Sequence, residues 1–126
     1  MIAYSMVGTN DMDRAKQFYD ALLGELGAKQ VMERPDGGAV FWGVERGKPM
    51  FALCKPWDGE AAHQGNGTMV AIGVENADQV KTMYDKAREL GATCEGEPGP
   101  RLGGAVSCGY IRDLDGNKLN FFCMGS

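Results

Sequence analysis

The chain repeats itself at half length, and that duplication constrains its fold more than any other feature. Gly8, Asp13, Lys16, Tyr19 and Asp20 recur as Gly73, Asp78, Lys81, Tyr84 and Asp85, each 65 positions later. The tetrapeptide ELGA at 25–28 returns at 89–92, an offset of 64. Later still, GKPMFALC at 47–54 aligns with GNKLNFFC at 116–123, an offset of 69 that sets Cys54 against Cys123. The growth between these anchors falls in EGEPGPRLGG, 95–104, which reads as a loop.

Each half carries the same series of elements. Residues 2–8 and 68–74 are short apolar, β-branched runs and predict strands. Asn10 or Asp11 in one half, and Asn76 or Asp78 in the other, offer side chains that cap a helix N-terminus. Ala15, Phe18, Leu22, Leu23 and Leu26 then draw one apolar stripe, as do Val80, Met83, Tyr84, Ala87 and Leu90. Gly27 and Gly91 follow the last turns, where a left-handed residue closes a helix. Strands are predicted at 28–33, 39–44 and 50–55, and again at 92–95, 105–112 and 118–124. PDGG at 35–38 and DLDG at 113–116 supply turn chemistry between them. The order in each half is therefore β-α-β-β-β, with modules 1–57 and 68–126 joined by a polar, glycine-containing linker at 58–67 within a single domain.

Charge and composition narrow the function. A formal charge of −4, with no cluster of Lys and Arg, excludes a phosphate-tracking surface and hence nucleic acid as a partner. No segment approaches the ~20 apolar residues of a membrane span, and the N-terminus lacks a secretory pattern. A cytoplasmic protein with no membrane partner is expected. Cys54, Cys94, Cys108 and Cys123 show no C-x-x-C spacing, so reduced thiols are expected rather than a zinc knuckle or a redox pair.

Two β-α-β-β-β modules, with GTND…FYDALLGELGA in the first and GYIRDLDGNKLNFF closing the second, make the chain resemble the vicinal oxygen chelate superfamily, which includes glyoxalases, bleomycin-resistance proteins and dioxygenases. The resemblance implies an α+β fold in which the two modules form a curled eight-stranded mixed sheet around a cleft, in a homodimer. In metal-dependent members a ligand lies near the start of each module's first strand, usually His, and another on each last strand, usually Glu or Gln. Carried over by the repeat offsets, those positions are Tyr4, Met69, Phe51 and Asn120. A divalent first-row metal takes imidazole, thiolate or carboxylate donors, which this set lacks. The only histidine, His63, is in the linker. No metal and no other cofactor is therefore expected.

Strand parity from the same positions adds Met6 and Phe122, together with Leu53, Ala71 and Met124, and turns the cysteines at 54 and 123 toward the helices. This lining is mostly apolar with a few polar groups, which suits either a small-molecule pocket or a cleft filled by its own Met and Phe side chains. Trp57, on the linker side, could stack on a planar ligand, whereas Trp42 could equally be a packing anchor. Arg101 and Arg112 could hold an anionic group or simply be solvated or ion-paired at the surface. Tyr110, like Tyr4, is suited to donating a hydrogen bond, and Cys108 precedes it on the same strand. The expected function is metal-free capture of a small, partly apolar molecule in the cleft. A lyase, isomerase or dioxygenase with non-standard metal ligands is the alternative, and the sequence does not decide whether a reaction is catalysed.

Overall fold

A computed structural model describes residues 1–125, which divide into two compact units, 1–64 and 65–125. The N-terminal unit runs β1 (Tyr4–Gly8), α1 (Met12–Gly24), β2 (Lys29–Glu33), β3 (Ala39–Gly43) and β4 (Met50–Cys54). The C-terminal unit runs β5 (Val70–Gly73), α2 (Ala77–Glu89), β6 (Thr93–Arg101), a 3-10 turn at Leu102–Gly104, β7 (Val106–Arg112) and β8 (Lys118–Met124). The predicted β-α-β-β-β order thus holds in both. The eight strands form two four-stranded sheets, ordered β1-β4-β3-β2 and β5-β8-β7-β6. Each sheet is mixed: its first and last strands pair in parallel and the remaining pairs are antiparallel. No described helix is long and apolar enough to cross a membrane.

Both helices start and stop for the reasons their sequences suggest. Asp11 accepts from the Arg14 backbone N–H and Asn76 from that of Gln79, so these residues are the caps. Asn10 does not cap. Its side chain bonds both N–H and C=O of Ala62, at 2.7 and 3.0 Å, fastening the following segment to the N-terminal unit. At the other ends, Gly27 and Gly91 take φ values of +77° and +104°. Their neighbours Ala28 and Ala92 donate back to Leu23 and Ala87, satisfying carbonyls that the helices leave open.

In the N-terminal unit, α1 lays Ala15, Phe18, Tyr19, Leu22 and Leu23 on the sheet, all buried. Tyr19 meets Phe51 with ring centroids 4.6 Å apart, and Trp42 at 5.9 Å. The Trp42 indole N–H donates to Asp20 at 2.9 Å, which makes this tryptophan a packing anchor. In the C-terminal unit, Val80, Met83, Tyr84 and Ala87 of α2 are buried against the sheet. Gly109 of β7 gives the helix its close seat, because a Cβ there would stand 3.3 Å from Val80 and 3.5 Å from Tyr84.

One segment departs from expectation. Most of EGEPGPRLGG is strand, not loop, since β6 extends to Arg101. It pairs only with β7 and its register slips between Cys94 and Gly96 and between Gly96 and Gly99. Proline and glycine are tolerated there because an edge strand has one free side and can bulge.

Candidate functional site

Strand register decides which residues share a face. In the N-terminal sheet β1 and β4 are in parallel register, with Tyr4 beside Met50, Met6 beside Ala52 and Gly8 beside Cys54. These residues share the face that α1 leaves uncovered. Phe51 pairs with Ser5 and Leu53 with Val7, and Phe51 packs on Tyr19 of the helix. The expectation that Phe51 and Leu53 line a ligand site is therefore corrected: both belong to the core under α1. Cys54, expected beneath the helix, is on the opposite face with Ala39, Phe41 and Ala52, and burial pushes its thiol up.

The cause is a one-residue misalignment. Matching Cys54 to Cys123 imposes an offset of 69, but the backbone shows 68. Thr9 N–H donates to the Cys54 carbonyl at 2.9 Å, and its repeat partner Val74 donates to Phe122 at 2.8 Å. Because side chains alternate along a strand, one residue of slip exchanges the faces. The N-terminal counterpart of Asn120 is thus Ala52.

In the C-terminal unit the strand parity is as expected. Asn120 pairs with Ala71 on one side and Tyr110 on the other, and Phe122 with Gly73 and Cys108. The alternate residues Gly109, Ile111, Leu119 and Phe121 form the helix side, so Asn120, Phe122, Tyr110, Cys108 and Arg112 occupy the helix-free face. Met69 lies just before β5 and is exposed.

Asn120 is the singular residue of this face. It is only 4% exposed, and its Oδ1 is buried without a hydrogen-bond partner. Natural proteins rarely leave such an atom unpaired, because the lost hydration is not replaced. Beside it, the Tyr110 ring is flanked by two cations, with the Arg101 guanidinium 5.6 Å and the Lys118 ammonium 5.3 Å from its centroid. Gly96 makes room for that ring, since a Cβ there would come within 2.8 Å of it. A hydrogen bond with the Cys108 thiol, and then burial, hold the Tyr110 phenol above its usual value. It therefore stays protonated at neutral pH, with its single O–H engaged by the Cys108 thiol.

Both arginines are engaged by their own unit. Arg101 donates to the Glu97 carbonyl at 2.7 Å and to that of Pro100 at 3.1 Å. Arg112 pairs with Glu95 at 3.0 Å and donates to the Gly116 carbonyl. Arg112 is thus tied up as a surface ion pair, while Arg101 keeps a face on Tyr110. Lys118 is not singled out by the sequence, although its parity with Asn120 places it on the same face. Trp57 is 85% exposed with the Arg34 guanidinium 4.9 Å from its ring, which leaves it on the surface of the N-terminal unit. Asp113 and Asp115 do turn chemistry: Asp113 Oδ1 accepts from the N–H groups of Asp115 and Asn117.

The family's metal positions can now be tested against the residues present. With the register corrected they hold Tyr4 and Ala52 in one unit, and Met69 and Asn120 in the other. One phenol and one amide oxygen do not make a site for a divalent first-row ion. Nor do the described residues contain a group of three or more His, Cys, Asp or Glu side chains placed to hold one.

Comparison with known proteins agrees with the architecture. The chain is 28% identical over 123 residues to a probable lactoylglutathione lyase of Synechocystis, covering 94% of this chain and 91% of that protein. It is 27% identical over 125 residues to the lactoylglutathione lyase of Haemophilus influenzae, covering 95% and 90%. The crystal structure of a glyoxalase/bleomycin resistance protein from Albidiferax ferrireducens superposes with a TM-score of 0.85 at 31% identity, over 97% of each chain. The sequence model of one family spans residues 1–121, and the chain belongs to that family, the Glyoxalase/Bleomycin resistance protein/Dioxygenase superfamily.

Proposed function

We propose that this chain captures a small, partly apolar molecule against the helix-free face of its C-terminal sheet, without a divalent metal at the family's ligand positions. The observation that carries the proposal is the buried, unpaired Oδ1 of Asn120. A ligand N–H or O–H placed there satisfies an acceptor that the protein leaves open. Phe122 and Ala71 supply apolar contact, and the Tyr110 phenol oxygen, whose proton is engaged by Cys108, supplies an acceptor. This combination of apolar wall and few polar groups fixes orientation while burial supplies affinity. Elemental analysis of protein purified without chelator tests the metal-free part. Less than one-tenth of an ion per chain is expected, with no change in melting temperature on adding EDTA; one tightly held transition metal per chain would overturn it. A metabolite screen by thermal shift tests the binding part, since saturation at about one hundred times Kd stabilises by about 2.7 kcal/mol.

A second reading is a metal-dependent lyase using non-standard ligands. It is favoured by one observation, the identity of 27–28% to proteins named as lactoylglutathione lyases. Turnover of a dicarbonyl-thiol adduct that EDTA abolishes and an added divalent metal restores would establish it in place of the first. The donor set at the four positions argues the other way.

A further inference from the structure

The N-terminal unit contains a concavity on its helix-free face, lined by Met50 beside Tyr4 but not by Tyr4 itself. It encloses about 550 Å³ between the start of β1, the edge strand β2 and the β3–β4 turn, within the size range of small-molecule sites. Ile2, Val31, Met32, Val44 and Met50 give it apolar walls. Four of these, Ile2, Val31, Met32 and Val44, are large apolar side chains exposed to solvent, which is unfavourable unless something covers them. Gly43 forms part of the wall: a Cβ at this position would meet Met50 at 3.4 Å and Val31 at 3.6 Å, so the glycine keeps the space beside them free.

The rim has a definite charge. Glu45, Arg46 and Lys48 stand on the β3–β4 turn, closed by a Lys48 N–H bond to the Glu45 carbonyl and by Gly47 at φ +87°. Neither Arg46 nor Lys48 forms an ion pair among the described residues. Two unpaired cations against one carboxylate, beside an apolar trough, match a molecule with a hydrocarbon body and an anionic head. A guanidinium and an ammonium are both suited to a carboxylate.

We propose that this groove binds a medium-chain carboxylate, its chain along Val31, Met32, Val44 and Met50 and its head at Arg46 and Lys48. All of its lining residues belong to the N-terminal unit, whereas Asn120 belongs to the C-terminal one. Decanoate, added below its micellar range and followed by isothermal titration calorimetry, is the probe. Saturable binding of one decanoate per chain is expected, weakening with salt because the rim is exposed. Decyltrimethylammonium should bind at least about tenfold more weakly. The double variant Arg46→Glu, Lys48→Glu should lose about tenfold in decanoate affinity, and Gly43→Val a similar amount by filling the groove. Asn120→Leu should leave decanoate affinity unchanged, which separates failure here from failure of the other site. Equal binding of the cationic analogue, or decanoate affinity that ignores both groove variants, would overturn the proposal. So would a dimer that Val44→Asp dissociates in a protein that takes up no decanoate, since the patch would then be covered by a second copy.

Discussion

A buried carbonyl oxygen with no donor carries a penalty of about 1–3 kcal/mol, and Asn120 bears one on an otherwise satisfied face. Replacing it by leucine removes the penalty and keeps the approximate shape. Asn120→Leu is therefore expected to raise the stability of the unliganded protein by about 1 kcal/mol and to abolish the thermal shift given by the ligand of the C-terminal face. A less stable variant with ligand response intact would show that the oxygen is not reserved for a ligand. Phe51 makes the opposite case. Packed on Tyr19 beneath α1, it should lose about 3–5 kcal/mol on truncation to alanine, measured by urea denaturation. Met6, on the other face and half-exposed, should change stability by less than about 1 kcal/mol as Met6→Ala. If the two effects came out equal, the register assigned to β1 and β4 would be wrong. The sequence alone places Phe51 on the ligand side because two cysteines invite alignment, and nothing local distinguishes FALC from NFFC by one residue. Asn120 falls on the helix-free face that strand parity expects, because its own strand supplies the anchor, but its unpaired oxygen is a property of packing that no spacing reveals.

At the scale of elements, the turns and caps are legible because a single residue's chemistry determines each one. Asp113 is the strongest instance. Its carboxylate accepts from the backbone N–H of Asp115 at 2.9 Å and Asn117 at 2.8 Å, and from the Asn117 amide at 2.9 Å, while being nearly buried. These three bonds join β7 to β8 and set the register that presents Tyr110 and Asn120 side by side. Asp113→Ala is expected to lose about 3 kcal/mol, with faster amide exchange along β7 and β8 than along β1 and β4. A loss below about 0.5 kcal/mol would show that the turn holds without the carboxylate. The β6 edge is not legible for the converse reason. Its prolines and glycines argue against strand locally, and pairing with β7 across a bulged edge overrides them.

The molecule as a whole joins two repeats of one plan that have kept their backbone hydrogen bonds and changed their side chains. The duplication itself can be read from Gly8, Asp13 and Tyr19 against Gly73, Asp78 and Tyr84, because the two aspartates are first-turn acids of their helices and the two tyrosines are buried core positions. The faces away from the helices diverged freely: Ala52 stands where the other half has Asn120, and Cys54 where it has Phe122. The two units also differ in the groups that respond to alkali. Burial raises Cys54 in the first unit. In the second, hydrogen bonds with Cys94 and Cys108, and then burial, raise Tyr84 and Tyr110 respectively. A group whose folded pKa lies above its unfolded value keeps its proton longer in the native state. Its contribution is complete below the unfolded pKa and is lost as pH rises through the folded one. Stability should therefore decline above about pH 9 as the Cys54 thiol enters this range, and more steeply above about pH 10 as the two phenols follow. Urea denaturation across that interval, with phenolate absorbance recorded in parallel, checks the sign. The double variant Tyr84→Phe, Tyr110→Phe should flatten the upper part of the decline and leave the Cys54 part in place. A decline of the same slope in that variant would mean that the phenols are not the groups holding on to their protons.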